Sequence, residues 1–293
     1  MTDLAVDAPV VIAAPGRRSL LRRLVRDPIA ALSLVFLVLV VLAAIFAPWI
    51  SPYDPYFTEQ TKGMIPPFEN PAYFFGTDAQ GRDMLSRLLY GTRLTLLMGL
   101  VALVVGGTIG ATVGILAAYY SRVDGLLMRL MDVLLSFPAI LFGLAIAAIT
   151  GPGLMPIVIA LAIATVPLLA RIARSSALVI MQQDYIDAAR SVGLGDAAII
   201  WRYLTLNCLS SIFVFSTLRF GQIILIGAAL SFLGLGAQPP TAELGTMAAN
   251  GRDFLFFAPH IATIPSLTIF AIVLAFNVLG DAMRDVLDPR LRQ

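Results

Sequence analysis

LTLLMGLVALVVGGTIGATVGILAAYY, Leu94 to Tyr120, runs for 27 residues without a charged side chain. Wound as a helix it reaches ~40 Å, enough to cross the ~30 Å hydrocarbon core of a bilayer. An uncharged run of this length predicts a membrane-spanning helix. Within it Gly106, Gly110 and Gly114 recur at every fourth position and so share one face. Such spacing lets a second helix approach closely; that helix is either another span of the same chain or a span of a partner.

Working outward, the same signal repeats. Of the 293 residues, 59% are hydrophobic and only 13% charged, against roughly 25% charged in soluble domains. Apolar runs predict six spans, about 29–48, 94–120, 126–149, 154–171, 212–235 and 261–281. The expected class is therefore all-α integral membrane with six transmembrane helices, and the length leaves too little chain for a separate soluble domain. Gly151-Pro152-Gly153 is a tight turn between the third and fourth spans. Pro156 and Pro167 interrupt the fourth, where neighbouring helices must satisfy the freed carbonyls. The first run, Ile29 to Ala47, follows Arg17, Arg18, Arg22, Arg23 and Arg26. It exceeds the ~7–15 residues of a signal-peptide core and is read as an uncleaved span.

An even number of spans puts both termini on one side, and the cations say which. The termini and the loops around 120–129 and 172–211 hold 14 arginines; the opposite loops hold five basic residues, Lys62, Arg82, Arg87, Arg93 and Arg252. The positive-inside rule places both termini in the cytoplasm. The organisation expected is a cytoplasmic segment 1–28, a first span with an extracytoplasmic loop over 29–93, and a core over 94–293 containing the cytoplasmic loop 172–211. A net charge of +2 gives no reason to expect a nucleic-acid partner. One cysteine, Cys208, and one histidine, His260, exclude an intrachain disulfide and the multi-cysteine or two-histidine metal sites. No catalytic group, cofactor or metal is expected.

The strongest local pattern lies in the loop 172–211. Gln183-Asp184-Tyr185-Ile186-Asp187-Ala188-Ala189-Arg190-Ser191-Val192-Gly193-Leu194-Gly195-Asp196 reads as a short helix whose apolar face is Ile186, Ala189 and Val192 or Gly193. Asp184 is expected to cap its start, Gly193 to end it in the left-handed conformation, and Asp196 to cap a second helix through Ile199, Ile200, Trp201 and Leu204. The small residues Ala188, Ala189 and Gly193 leave room for a partner. Two readings stand: a docking element for another protein, or a helix packed parallel to the membrane.

Asp187-Ala188-Ala189-x-x-x-Gly193 resembles the EAA loop of ABC-importer permeases, with Asp187 in place of the usual Glu and Thr205-Leu206 in place of the downstream Leu-Pro. Three further segments resemble the dipeptide, oligopeptide and nickel permeases of that family, most closely the C-type subunit. They are Phe75-Gly76-Thr77-Asp78-x-x-Gly81-Arg82-Asp83-x-x-Ser86-Arg87-x-x-x-Gly91-x-Arg93, Ala229-Leu230-Ser231-Phe232-Leu233-Gly234-Leu235-Gly236-x-x-Pro239-Pro240, and Gly280-Asp281-x-x-Arg284-Asp285-x-x-Asp288-Pro289-Arg290. Gly245 fits the pattern too, although Leu244 stands where Trp is common, and Gly227 stands where an acid is common. The resemblance implies the type I importer fold and an ATPase-coupling loop at Asp187, Ala188, Ala189 and Gly193. It also implies a permease subunit for peptides with no chemistry of its own. The implied partners are a second permease in a heterodimer, two ABC ATPase subunits and an extracytoplasmic solute-binding protein. No G-x-x-x-x-G-K-[ST] loop occurs, so ATP hydrolysis would belong to the ATPase partners.

Two polar groups of residues remain. Arg219 and Gln222 lie on one face of the fifth span. They either line the translocation path, or Arg219 snorkels or pairs with Asp132 at the base of the third span. Asp78, Arg82, Asp83, Arg87 and Arg93 bunch near the second span. They form either a solvated amphipathic surface or a periplasmic platform for the binding protein or the partner's loop. The competing classes are an ion-coupled carrier, which would bury acids at mid-membrane, and an intramembrane hydrolase, for which no H-E-x-x-H exists.

Overall fold

A computed structural model describes residues 27–287. The basic cluster Arg17–Arg26 and the tail Asp288-Pro289-Arg290 lie outside the described residues. The described chain is helical, with one isolated β-bridge between Thr77 and Asp83.

Helix α1, Pro28–Ile50, starts where the Asp27 carboxylate accepts the Ile29 N–H at 2.9 Å and Pro28 occupies the first turn, where no donor is needed. Only a narrow seam of α1, including Ala30, Leu37, Ala44 and Ala47, is buried; Leu34, Phe36 and Val40 are half-buried beside it, and much of the remainder is apolar and exposed, as a lipid-facing helix requires. After an irregular loop, α2 runs Met84–Tyr119. It begins ten residues before the apolar run because Asp83 caps it, accepting the Ser86 N–H at 2.7 Å.

The third predicted span is corrected. It is two helices, α3 (Ser121–Ser136) and α4 (Ala139–Thr150), meeting at 83° across Phe137-Pro138. Pro138 cannot donate to the turn before it and pushes Phe137 into extended backbone. With 12 residues, α4 reaches only ~18 Å, less than a bilayer core. Among the described residues, five helices are thus long and apolar enough to cross a membrane, six if this bent pair counts as one span.

Helix α5, Leu154–Met181, is continuous through Pro167 and packs along α2. The glycine spacing explains how. A Cβ on Gly106, Gly110 or Gly114 would overlap the carbonyl oxygens of Ala162, Val166 and Ala170 respectively. The stripe therefore seats α5 of the same chain, which decides between the two readings of the sequence. Helix α6 is Asp184–Ser191. Helix α7, Asp196–Phe232, opens with one α turn (Asp196–Ala198), passes through a π-helical segment (Ile199–Thr205) and continues as α over Leu206–Phe232. A short α8, Leu244–Gly251, follows, then α9, His260–Leu287.

The core sits where α2, α5 and α7 meet: Ala102, Ile157, Leu161, Ile223 and Leu230 form one buried cluster, and Ile115, Ala173, Ala177, Leu204 and Cys208 belong to another. Helix α9 closes a further side through Phe220, Ile224, Ile269 and Ile272, and α1 lies outside it at Leu37, Ala275 and Leu279. One end of the bundle carries Arg171, Arg174, Arg190 and Arg202; the other carries the loop 51–83 and α8.

Candidate functional site

At the arginine-rich end, α6 and the turn after it form a projecting corner. Gly193 has φ +84°, the left-handed region that glycine enters without penalty. The Leu194 N–H donates to Ala189 O at 3.1 Å and the Gly193 N–H to Arg190 O at 2.9 Å, the two bonds of a Schellman helix end. The capping expectations are corrected: Gln183 precedes α6 and Gly195 precedes α7, with no side-chain cap at either. Asp184 is already inside the helix. The Asp196 carboxylate instead accepts the Tyr119 hydroxyl at 2.8 Å and the Tyr120 hydroxyl at 3.4 Å, which ties the corner to the end of α2. Arg190 lies over the Tyr119 ring at 6.0 Å, and Tyr185 stacks on Tyr203 at 6.1 Å.

These bonds leave one face free. Asp187, Ala188, Val192, Gly193, Leu194 and Gly195 are exposed, Val192 by 83%, and a Cβ on Gly193 or Gly195 would meet nothing within 4 Å. Ala189, by contrast, is buried with Ile186 and holds the helix down, so of the three small residues it does not face a partner. Trp201, 74% exposed, extends the free surface along the π segment. That segment lies where the resembled family carries Leu-Pro. Here Leu206 stands in place of Pro and donates its N–H to Tyr203 O, Thr205 Oγ1 donates to Ile200 O at 3.0 Å, and Asn207 Nδ2 donates to Tyr203 O at 2.6 Å. The helix thus continues, underwound, instead of breaking. The corner offers small residues, an apolar tip and the exposed carboxylates of Asp184 and Asp187.

Arg219 lies at the midpoint of Leu206–Phe232, about 20 Å from either end, and is 6% exposed. It neither snorkels nor meets Asp132, which pairs with Arg171 on α5. Its Nη1 donates to Gln222 Oε1 at 2.8 Å and its Nη2 to Ala164 O at 3.1 Å, while Nε has no partner. A second pair, Arg174 Nε to Asp124 at 2.6 Å, joins α3 to α5.

At the other end, the residues expected to form an exposed platform are corrected to an interior network. Asp78, Arg82, Asp83 and Arg87 are all buried, and Arg93 alone is exposed. Asp78 pairs with Arg82 at 2.6 Å and Arg87 at 3.4 Å, and Arg87 also donates to Pro55 O at 2.9 Å and Pro240 O at 3.3 Å. Residues 51–83 fold over the start of α2 and cover these charges. On the loop's surface, the hydrogen bond to Glu59 raises the Lys62 ammonium above the ordinary lysine range. His260 is buried with Nε2 at 3.0 Å from Thr77 O.

Sequence reasoning missed Glu243. Its carboxylate is fully buried and accepts the Gly245 and Thr246 N–H groups at 2.9 and 2.8 Å and the hydroxyls of Thr95 and Thr246 at 3.1 and 2.9 Å. It caps α8 and pins it to α2. The signal available was an acid just before Leu244, in the position of an N-cap.

Residues 110–293 match the family described as binding-protein-dependent transport system inner membrane component, and residues 17–67 match the N-terminal TM domain of oligopeptide transport permease C. The chain is 44% identical over 278 residues to the glutathione transport system permease protein GsiD of Pectobacterium atrosepticum, covering 94% of this chain and 91% of that one. It is 45% identical over 285 residues to a putative peptide transport system permease protein of Brucella abortus, covering 97% and 93%. Its fold is shared with a chain of the inward-facing MetNI methionine ABC transporter, with a TM-score of 0.57, 19% identity and coverage of 70% of this chain and 98% of that chain.

Proposed function

This chain belongs to the family of binding-protein-dependent transport system inner membrane components, and on that premise we propose that it is one of two unlike permease subunits of an ATP-driven importer of peptides, a class that includes glutathione. The names carried by its relatives support the substrate class. The observation that carries the mechanism is the corner at Gly193: rigidly tied to α2 and α7 behind, open in front.

An ATPase subunit grips Asp187, Ala188 and the Val192–Gly193–Leu194 tip from the cytoplasm. When ATP closes a pair of ATPases, the two coupling corners move together. Because Asp196 is bonded to Tyr119 and Tyr120, and because α7 leaves the corner without a break, the displacement reaches α2 and α7. The helix interface with the second permease then opens outward to a solute-binding protein. The cytoplasmic assignment of both termini and of 172–211 rests on the arginine distribution. The acids buried among the described residues, Asp78, Asp83 and Glu243, all lie at the extracytoplasmic end. This favours ATP coupling over a proton- or sodium-coupled carrier, whose acid would sit at mid-span.

The test is purification of the tagged chain from its native membrane, followed by reconstitution with its binding protein. The reading requires co-purifying ATPases and uptake of labelled dipeptide or glutathione only with ATP inside. Uptake that persists without ATP and follows an imposed ion gradient would overturn it.

A further inference from the structure

Arg219 and Gln222 present a group that the coupling mechanism leaves without a task. A guanidinium carries only donors, so the Gln222 atom 2.8 Å from Nη1 is the carbonyl oxygen, and the Gln222 NH2 is turned away from Arg219. Gln222 is exposed on the surface of α7, close to the middle of Leu206–Phe232. An unpaired amide facing hydrocarbon at that depth costs several kcal/mol, so this face of α7 is turned to the path rather than to lipid. Behind it, Arg219 is buried, has one unpartnered N–H, and has no carboxylate within ion-pair reach among the described residues. The positive charge is therefore not neutralised by any described residue, and it polarises the amide in front of it.

We propose that the Gln222 NH2 is a contact for the terminal carboxylate of the peptide in transit, and that Arg219 is a positioning residue that holds the amide oxygen inward and its donors outward. This rests on the peptide-import reading. A carboxylate is the acceptor that gains most from an amide backed by an uncompensated cation. Arg219 itself does not touch the substrate. Its bonds to Ala164 O and Gln222 Oε1 lock the carboxamide against α5.

The discriminating variant is Gln222→Glu, with Gln222→Leu beside it. Glu keeps the size of the side chain and supplies Arg219 with a counter-charge, so a purely structural pair would tolerate it; both variants remove the donors. The readout is the ratio of ATP-driven uptake of one dipeptide as the free acid to uptake of its C-terminal amide. It is measured in proteoliposomes at saturating binding protein. We expect Gln222→Glu and Gln222→Leu each to lower that ratio about tenfold, as for loss of one hydrogen bond to a charged group, with the second permease and the ATPases still co-purifying. Arg219→Met should lower the ratio alone and add nothing in the Gln222→Leu background, because it acts through Gln222. An unchanged ratio in both Gln222 variants overturns the contact. Loss of the second permease from them makes Gln222 a subunit contact and also overturns it. An Arg219→Met effect of equal size in both backgrounds removes the positioning role. A wild-type complex that moves no peptide at all refutes the import reading itself, and is read from the wild-type arm alone.

Discussion

Replacing Gly193 separates two effects that usually come mixed. The residue sits at φ +84° and a Cβ there meets nothing within 4 Å. Inside the chain, a substitution therefore costs only the left-handed backbone, about 1–2 kcal/mol for an ordinary residue and less for Asn, which tolerates that region. The corner is also anchored by Ile186 and Ala189 and by the bonds of Asp196, so a local cost of that size should not unfold the bundle. Bulk acts only on whatever grips the corner from outside. The series Gly193→Asn, Gly193→Ala and Gly193→Leu should then leave the melting temperature of the isolated permease in detergent nearly constant. ATPase retention on the tagged chain should fall in the order Gly, Ala, Asn, Leu. Peptide uptake should be abolished in Gly193→Leu, while ligand binding by the separate binding protein is unaffected. The reasoning is refuted if Gly193→Leu holds its ATPases in full and still transports. It is equally refuted if all three variants melt early in proportion to side-chain size, because the free space at Gly193 would then be illusory.

Other substitutions probe the packing and the topology. Gly110→Val drives a side chain into the Val166 carbonyl and should cost at least about 1–3 kcal/mol, seen as a lower melting temperature and loss of complex. Gly125→Ala, inside α3 with open space around it, should instead gain about 0.5–1 kcal/mol. Asp78→Asn leaves Arg82 and Arg87 buried beside a neutral amide and should destabilise by about 3–5 kcal/mol, measured by thermal aggregation of the detergent-solubilised chain. On a Cys208→Ser background, Arg190→Cys should react with impermeant maleimide only after the cells are opened; labelling in intact cells would invert the assigned orientation.

Hydropathy reported where the chain crosses the membrane, not where its helices end. Helices α2, α5 and α7 each run well beyond their apolar runs because Asp83, the Arg171 and Arg174 pairs, and the π segment sustain helix in water. The glycine stripe and the Schellman end at Gly193 were legible because each depends on residues close in sequence. The break at Phe137-Pro138 hides inside an otherwise uniform apolar run, and only the lone proline hinted at it. Asp78, Arg82, Asp83 and Arg87 looked like surface because nothing local shows that residues 51–83 fold over them. The burial of Glu243 was hidden for the same reason, although its N-cap position was local: its partner Thr95 lies 148 positions away. The partner that holds Arg219 was hidden likewise: Ala164, whose carbonyl accepts from its Nη2, lies 55 positions away.

The π segment Ile199–Thr205 has a consequence for heredity as well as for mechanics. A π turn holds one residue more than an α turn, so everything before Ile199 is rotated by about 100° around the α7 axis relative to a regular helix. The compass bearing of the Gly193 corner is thus encoded by the count of residues between it and Leu206. A codon deleted there would spare the composition, the hydropathy and every bond within the corner, yet aim it away from its grip. Replacing Trp201 or Arg202 keeps that bearing; deleting either turns the corner by about 100°.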